Sequence, residues 1–492
     1  MQEIMASENH LPDAIIFPFM AQGHTLSLLD LAKILSQRGL KVTIISTPSN
    51  AKQTSSILST KFPNISIHVI PFPTCDDLSQ DCENTKDIIS KDQHLSFLRA
   101  TLKLKEPFES FLKEKVEKTC HSNSNIFVVC DLFLCWAIPI CSSLNIPGIL
   151  FTGMGVLSSA IWRLMLSNEE CIKSLSNGEE LETLPGLASP FFLTRNDFAN
   201  WFDDNHPTVQ FLFEIGDVSS FWGVLSNSFE EIEGKYIGAL ESTYNEGVKV
   251  WCVGPLLLYD QATPMTPTHG MQEREECNKD SCSYYLRWLD EQIEQLESVI
   301  YVSFGTQAYV SDIQMDEIAL GLEMAGYPFV CVVRSTSWKL PEGWEERVKS
   351  KGLIIREWVD QRSILSHPSV GGFLSHCGWN SVLESLGRGV PLLTWPMGAE
   401  QPLNAKFVVQ VLKAGIAINT TKVVEQGSME SAIVGRNDIS CAVEELMGGE
   451  NGRVARERAK EIGMMSRKAV AKDGSSSKKL DEFISCLVEL KK

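Results

Sequence analysis

Residues 358–401 read WVDQRSILSHPSVGGFLSHCGWNSVLESLGRGVPLLTWPMGAEQ. The runs GGFLS (371–375) and VPLLT (390–394) are short, apolar and uninterrupted by charge. Runs of this kind suit parallel strands buried on both faces. Between them, His376-Cys377-Gly378-Trp379-Asn380-Ser381 turns the chain into a helix. Ser381 and Glu384 have the spacing of a capping box. A strand, a turn, a helix and a second strand make a parallel-sheet unit, and its repetition decides the fold.

The same pattern extends in both directions. Strands are expected at 299–304, 328–333, 352–356 and 415–418 on this side of the chain, and at 14–19, 41–46, 65–70, 126–130, 148–151 and 223–227 on the other. Alternation with helical stretches predicts an α/β protein of two doubly wound domains. The segment PLLLYDQATPMTPTHGMQEREECNKDSCS (255–283) has Pro, Thr and charge without periodicity, and reads as a linker or exposed loop. The expected division is therefore 1–255, a linker at 256–283, and 284–473. A final helix at 474–492 could pack on either domain, including back on the first.

Bulk composition narrows the function. A chain of 492 residues with 43% hydrophobic and 22% charged residues builds sizeable cores. The net charge of −18 argues against general affinity for nucleic acid or anionic membrane. The 14 cysteines, several in apolar runs (Cys130, Cys141, Cys331), read as buried free thiols of a reducing, cytoplasmic setting. Cys130…Cys135 and Cys277…Cys282 lack zinc-site spacing. No secretory leader is read at the start. Residues 132–162 carry no charge, yet Pro139, Asn145, Pro147 and Gly148 break them. Two buried elements joined by a turn are expected there rather than a membrane span.

Two places carry chemistry. After the first strand comes Met20-Ala21-Gln22-Gly23-His24, then a helical pattern of Leu28, Leu31, Ala32 and Leu35 that stops at Gly39. His24 thus stands at the carboxyl end of a strand, where ligands bind in open α/β sheets. A helix N-terminus favours neutral imidazole, and a neutral histidine serves as a general base. Asp131 ends another strand and could hold the second ring nitrogen, fixing the tautomer. The bland alternatives are a packing histidine and an aspartate that caps a turn.

The second place is the opening segment. A turn of small residues at a helix N-terminus suits a diphosphate, with His376, Asn380 and Ser381 as further donors. Trp358 suits stacking on a base, and Glu384 and Gln401 suit hydroxyl groups. No G-x-x-x-x-G-K-[ST] motif is present. Gly153-Met154-Gly155 lacks the third glycine of a dinucleotide fingerprint, which leaves an NAD(P)-dependent oxidoreductase as a weak rival. A glycosidase needs paired carboxylates across a sugar cleft and has no use for a nucleotide site.

In length and in its W-x-x-Q…H-C-G-W-N-S-x-x-E…E-Q landmarks, segment 358–401 resembles the donor-binding signature of plant family 1 UDP-glycosyltransferases. The likeness covers nearly the whole chain. It takes in Gly23-His24, Asp131, the Cys252-Val253-Gly254-Pro255 turn and Val302-Ser303-Phe304-Gly305-Thr306. The resemblance implies a GT-B fold, two Rossmann-like domains facing a cleft. It implies that His24 deprotonates the acceptor hydroxyl and Asp131 holds His24. Trp358 would stack on uracil and the Val359 backbone pair with its edge, while Gln361 and Glu384 hold the ribose. Ser303, Thr306, His376, Asn380 and Ser381 would bind the diphosphate, and Trp379, Glu400 and Gln401 would position the sugar.

The resemblance further implies an inverting transfer, most simply of glucose because Gln stands at 401. The acceptor would be a small phenolic, terpenoid or hormone; loops 71–95 and 180–215, with Phe191, Phe192, Trp201 and Phe202, are expected to form its pocket, and core packing is the equal alternative for those four residues. No D-x-D motif is present, so no metal and no cofactor beyond the UDP-sugar co-substrate are expected, and the protein is expected to be a monomer. A non-catalytic nucleotide-sugar sensor is the remaining alternative, although it would need neither His24 nor Asp131. Three departures from the family pattern stand out: Glu400 for a common Asp, Asp360 for a common Pro, and Ser27 for a common Pro.

Overall fold

A computed structural model describes residues 11–58, 62–90, 92–119, 126–168, 179–198, 206–215, 221–261, 284–306, 308, 310–335, 337–418 and 433–490. The chain forms two compact units. The first comprises Met1–Ala188, Thr194–Tyr259 and Lys468–Lys492, and the second Ser189–Leu193 and Asp260–Arg467.

The first unit holds β1 (Asp13–Phe17), β2 (Val42–Ser46), β3 (Ile65–Val69), β4 (Ile126–Asp131) and β5 (Gly148–Thr152). A short pair, β6 (Glu180–Leu184) and β7 (Leu187–Thr194), precedes β8 (Gly223–Ser226) and β9 (Lys249–Cys252). The main sheet has the order β3-β2-β1-β4-β5-β8-β9, and every neighbouring pair is parallel. Strands β2, β4 and β5 are buried along their whole length, as their unbroken apolar runs require. The sequence reading missed β9. Its four residues begin with an exposed lysine and end in the turn that follows, too short a run to show a period. It missed β6 and β7 as well.

The helix Ser475–Glu489 belongs to this first unit. Leu480, Phe483, Ile484 and Leu487 recur at helical spacing and are buried in one core with Phe127, Trp251 and Val253. Phe483 lies edge-on to Trp251, with ring centroids 5.3 Å apart. Polar ties frame the contact: Arg38 Nε donates to Asp481 Oδ1 at 2.9 Å, and Ser476 Oγ donates to the Gly254 carbonyl at 2.6 Å.

The second unit holds β10 (Val299–Ser303), β11 (Phe329–Val332), β12 (Gly352–Ile355), β13 (Val370–Ser375), β14 (Leu392–Thr394) and β15 (Gly415–Ala417). Their order is β12-β11-β10-β13-β14-β15, all parallel. Ser189–Leu193, expected in the first domain, goes with this unit; Lys406 Nζ donates to the Phe192 carbonyl at 2.9 Å. The expected linker lies almost wholly outside the described residues, from 262 to 283.

The charge-free stretch 132–162 is a short 3-10 turn (Leu132–Leu134), a helix (Ala137–Ser143), strand β5 and most of the helix Val156–Leu166. Among the described residues no helix is long and apolar enough to cross a membrane. Ten described cysteines are unpaired. Burial pushes the thiols of Cys141 and Cys331 up to about 12, which keeps them inert.

Candidate functional site

Each sheet has one point where strand order reverses, between β1 and β4 in the first and between β10 and β13 in the second. A crevice opens at such a point because the helices that follow the two strands leave on opposite faces. His24 and Asp131 stand at the first, and Ser303 and His376 at the second.

In the first unit β1 and β4 pair with Phe17 opposite Cys130, so the turn after β1 lies beside the end of β4. The helix Gln22–Gln37 places His24 in its first turn, and Asp131 is the last residue of β4. His24 Nδ1 and Asp131 Oδ2 are 2.7 Å apart. Asp131 is fully buried, and its other oxygen accepts the Phe133 amide at 3.0 Å. The carboxylate is therefore fixed from both sides, and it also caps the 3-10 turn Leu132–Leu134. His24 keeps 28% of its side chain exposed. Phe19 and Phe133 flank its ring at 5.5 and 5.6 Å. A buried acceptor on one imidazole nitrogen and an apolar surround for a ring still open to a ligand are what a general base requires. Ser27, where proline is common, donates its hydroxyl to the Gly23 carbonyl at 3.3 Å.

In the second unit Ser303 ends β10 and His376 follows β13. Cys377 takes φ 65°, a left-handed turn, and Gly378 caps the helix Trp379–Arg388. The capping box expected of Ser381 and Glu384 does not form. Ser381 is the third helical residue, and Gly378 has no side chain to occupy the first-turn amides. Those amides and the helix dipole are the ordinary means of holding a phosphate. The ring of His376 is wedged between two glycines. A Cβ added at Gly305, whose φ is +78°, would fall 2.9 Å from its Cε1 and Nε2; one at Gly378 would fall 2.6 Å from Nε2. Burial lowers the His376 pKa to about 4, so the ring is neutral near pH 7. Its buried Nδ1 meets no hydrogen-bond partner among the described residues.

The other landmarks surround this turn. Trp358 is 52% exposed, whereas Val359 beside it is buried. Asp360 accounts for its own departure from proline: it caps the helix Gln361–Leu365, and its Oδ1 accepts the Arg362 amide at 3.1 Å. The Gln361 amide is held at three points. Its Nε2 donates to Ser381 Oγ at 3.0 Å and to Glu384 Oε2 at 2.7 Å, and its Oε1 accepts the Tyr301 hydroxyl at 3.3 Å. Gln401 Oε1 accepts the amides of Met397 and Gly398 at 2.9 and 3.0 Å. Trp379 is only 2% exposed and packs toward Phe407, so that position can offer a ligand its backbone and not its indole. Asn380 and Glu400 are half-buried, and Thr306 is exposed.

Three residues that shape the site escaped the sequence reading. Arg362 Nε donates to Glu384 Oε1 at 3.0 Å and balances that carboxylate. Tyr301 lies in the middle of a strand and reads as core. Asn404 bonds to both Glu400 and Cys377. The glycine pair Gly153 and Gly155 is not a nucleotide turn: Gly153 packs beside His24, and Gly155 caps the helix Val156–Leu166. Of the apolar residues expected at the acceptor, Phe191 is buried and Phe192 is 48% exposed; Trp201 and Phe202 lie outside the described residues. Among the described residues no group of three or more His, Cys, Asp or Glu could hold a metal ion.

Comparison with known proteins shows the family and the fold. Residues 13–258 match the glycosyltransferase N-terminal domain family, and residues 259–443 match the UDP-glucuronosyl and UDP-glucosyl transferase family. UDP-glycosyltransferase 73B4 of Arabidopsis thaliana is 36% identical, over 96% of this chain and 97% of its own. UDP-glycosyltransferase 73C3 of the same plant is 33% identical, over 97% and 96%. Among solved structures, Glycyrrhiza uralensis UGT73P12 complexed with glycyrrhetinic acid 3-O-monoglucuronide superposes with TM-score 0.81 at 30% identity, covering 98% of this chain and 97% of its own. Medicago truncatula UGT71G1 complexed with UDP-glucose gives 0.79 at 26% identity, covering 98% and 100%.

Proposed function

The chain belongs to the plant family 1 UDP-glycosyltransferases and has their GT-B fold of two Rossmann-like domains, and from that premise we propose that it transfers glucose from UDP-glucose, with inversion, to a hydroxyl of a small apolar acceptor. The observation that carries the proposal is the 2.7 Å contact between His24 and Asp131 at the switch point of the first sheet.

The chemistry follows from that contact. With Nδ1–H given to Asp131, His24 presents a lone pair at Nε2 and takes the proton of the acceptor hydroxyl. The oxygen attacks the anomeric carbon while the bond to UDP breaks on the opposite face, so an α-linked donor yields a β-glucoside. Asp131 stabilises the imidazolium so formed. Charge gathering on the leaving diphosphate meets the first-turn amides of the helix Trp379–Arg388, with His376, Asn380, Ser381, Ser303 and Thr306 around it. These donors let the reaction proceed without a metal. Trp358 offers an exposed face to uracil, Val359 its backbone, and Gln361 with Glu384 an acceptor pair to the ribose. Glu400 and Gln401 meet the sugar.

The acceptor class rests on the half-buried Phe133, whose ring lies 5.6 Å from that of His24 and packs on the buried Phe19 at 4.8 Å. A relative from Phytolacca americana, 27% identical, has been solved with UDP-2-fluoro-glucose and pterostilbene, which supports a flat phenolic acceptor. The unpaired thiols support a reducing, cytoplasmic setting.

The test is mass spectrometry of the purified enzyme with UDP-glucose, a panel of phenolics and terpenoids, and EDTA. A product one hexosyl unit heavier is expected. Transfer from a different UDP-sugar alone would overturn the glucose assignment, and tight UDP binding without transfer to any acceptor would favour a sensor.

A further inference from the structure

Glu400 caps the helix Gln401–Lys406, and Asn404 lies four residues further on. Residues at this spacing share a helix face, and the side chains meet: Asn404 Nδ2 donates to Glu400 Oε1 at 3.3 Å. The same nitrogen donates to the Cys377 carbonyl at 3.0 Å, in the turn that leads into the helix Trp379–Arg388. One buried amide thus ties the carboxylate to the phosphate-side turn. Asn404 has no exposed surface, so it acts through Glu400 and not on the ligand. The tie also bears on the departure at 400. Glutamate has one more rotatable bond than aspartate and more freedom to lose, and the bond to Asn404 confines it.

We propose that Asn404 is a positioning residue that sets discrimination among donor sugars, by fixing the Glu400 carboxylate so that it accepts from one arrangement of sugar hydroxyls. The proposal rests on the reading of Glu400 as a sugar contact. A fixed acceptor discriminates between epimers because the wrong one leaves a desolvated polar group unpaired. A carboxylate free to swing follows either epimer and discriminates little.

The test uses Asn404→Asp, which keeps the shape but turns a donor into an acceptor facing two acceptors, and Asn404→Ser, whose shorter side chain does not reach Glu400. For each variant kcat and KM are measured with UDP-glucose and with its 4-epimer UDP-galactose, together with the Kd for UDP and Tm. The Kd for UDP is expected to change by less than about twofold. The KM for UDP-glucose rises about tenfold, and the kcat/KM preference for UDP-glucose over UDP-galactose falls by about tenfold or more, the scale of one lost oriented hydrogen bond. Adding Glu400→Gln to Asn404→Asp restores a donor–acceptor pair and recovers part of the preference, which a merely structural role does not produce. An equal loss of UDP affinity, or an unchanged sugar preference, overturns the proposal. If the wild-type enzyme uses another UDP-sugar, the glucose assignment fails by itself, and the role of Asn404 is decided with that sugar and its epimer.

Discussion

At the scale of residues, what matters is how each reactive side chain is held. Asp131 spends one oxygen on the Phe133 amide and the other on His24. Asn at 131 would keep the size but present an amide group where the carboxylate accepts, turning the imidazole to the wrong tautomer or out of line. Asp131→Asn is therefore expected to lower kcat by about 10²–10⁴-fold, the range of a lost general base. UDP affinity, measured by titration calorimetry, should stay within about twofold, because the proposed donor residues lie in the second unit. A variant with near-normal turnover would remove the dyad from the mechanism. Gln361 and Glu384 show the same economy. Each is bonded within the protein, so a ribose held there as proposed leaves less ordering to the moment of binding.

Elements decide where these residues can stand. Both candidate sites sit on loops that leave parallel strands at their carboxyl ends, and both use the first turn of the next helix. The proposed donor turn is built by close approach. Gly305 is left-handed and packs on the ring of His376, so a methyl group there must strain the backbone and push the ring aside. A side chain in this conformation costs about 1–2 kcal/mol before any clash is counted. Gly305→Ala is expected to weaken UDP binding by about tenfold or more while leaving the dyad intact. UDP binding equal to wild type would show that the turn tolerates movement of His376.

For the whole molecule, the final helix is the instructive part, since it completes the first sheet's core after the chain has finished the second unit. Phe483 lies among Phe127, Trp222 and Trp251. Phe483→Ala should cost about 3–5 kcal/mol of stability, as a large core truncation does, with UDP affinity retained. Denaturant unfolding followed by tryptophan fluorescence, beside a UDP titration, checks both parts; a loss of UDP binding with no loss of stability would contradict the packing. The sequence by itself determined the fold class, twelve of the strands and the landmark residues, because apolar runs and the strand–turn–helix signature at 358–401 are local patterns. It also marked His24 and Asp131, each from its place at a strand end. Only the tertiary structure decided that these two meet, 107 positions apart, that Ser381 serves Gln361 and not a capping box, that Asn404 reaches Cys377, and which core receives the last helix. Those contacts depend on which strands lie side by side and on where side chains end in space, and neither is written in the period of a single segment.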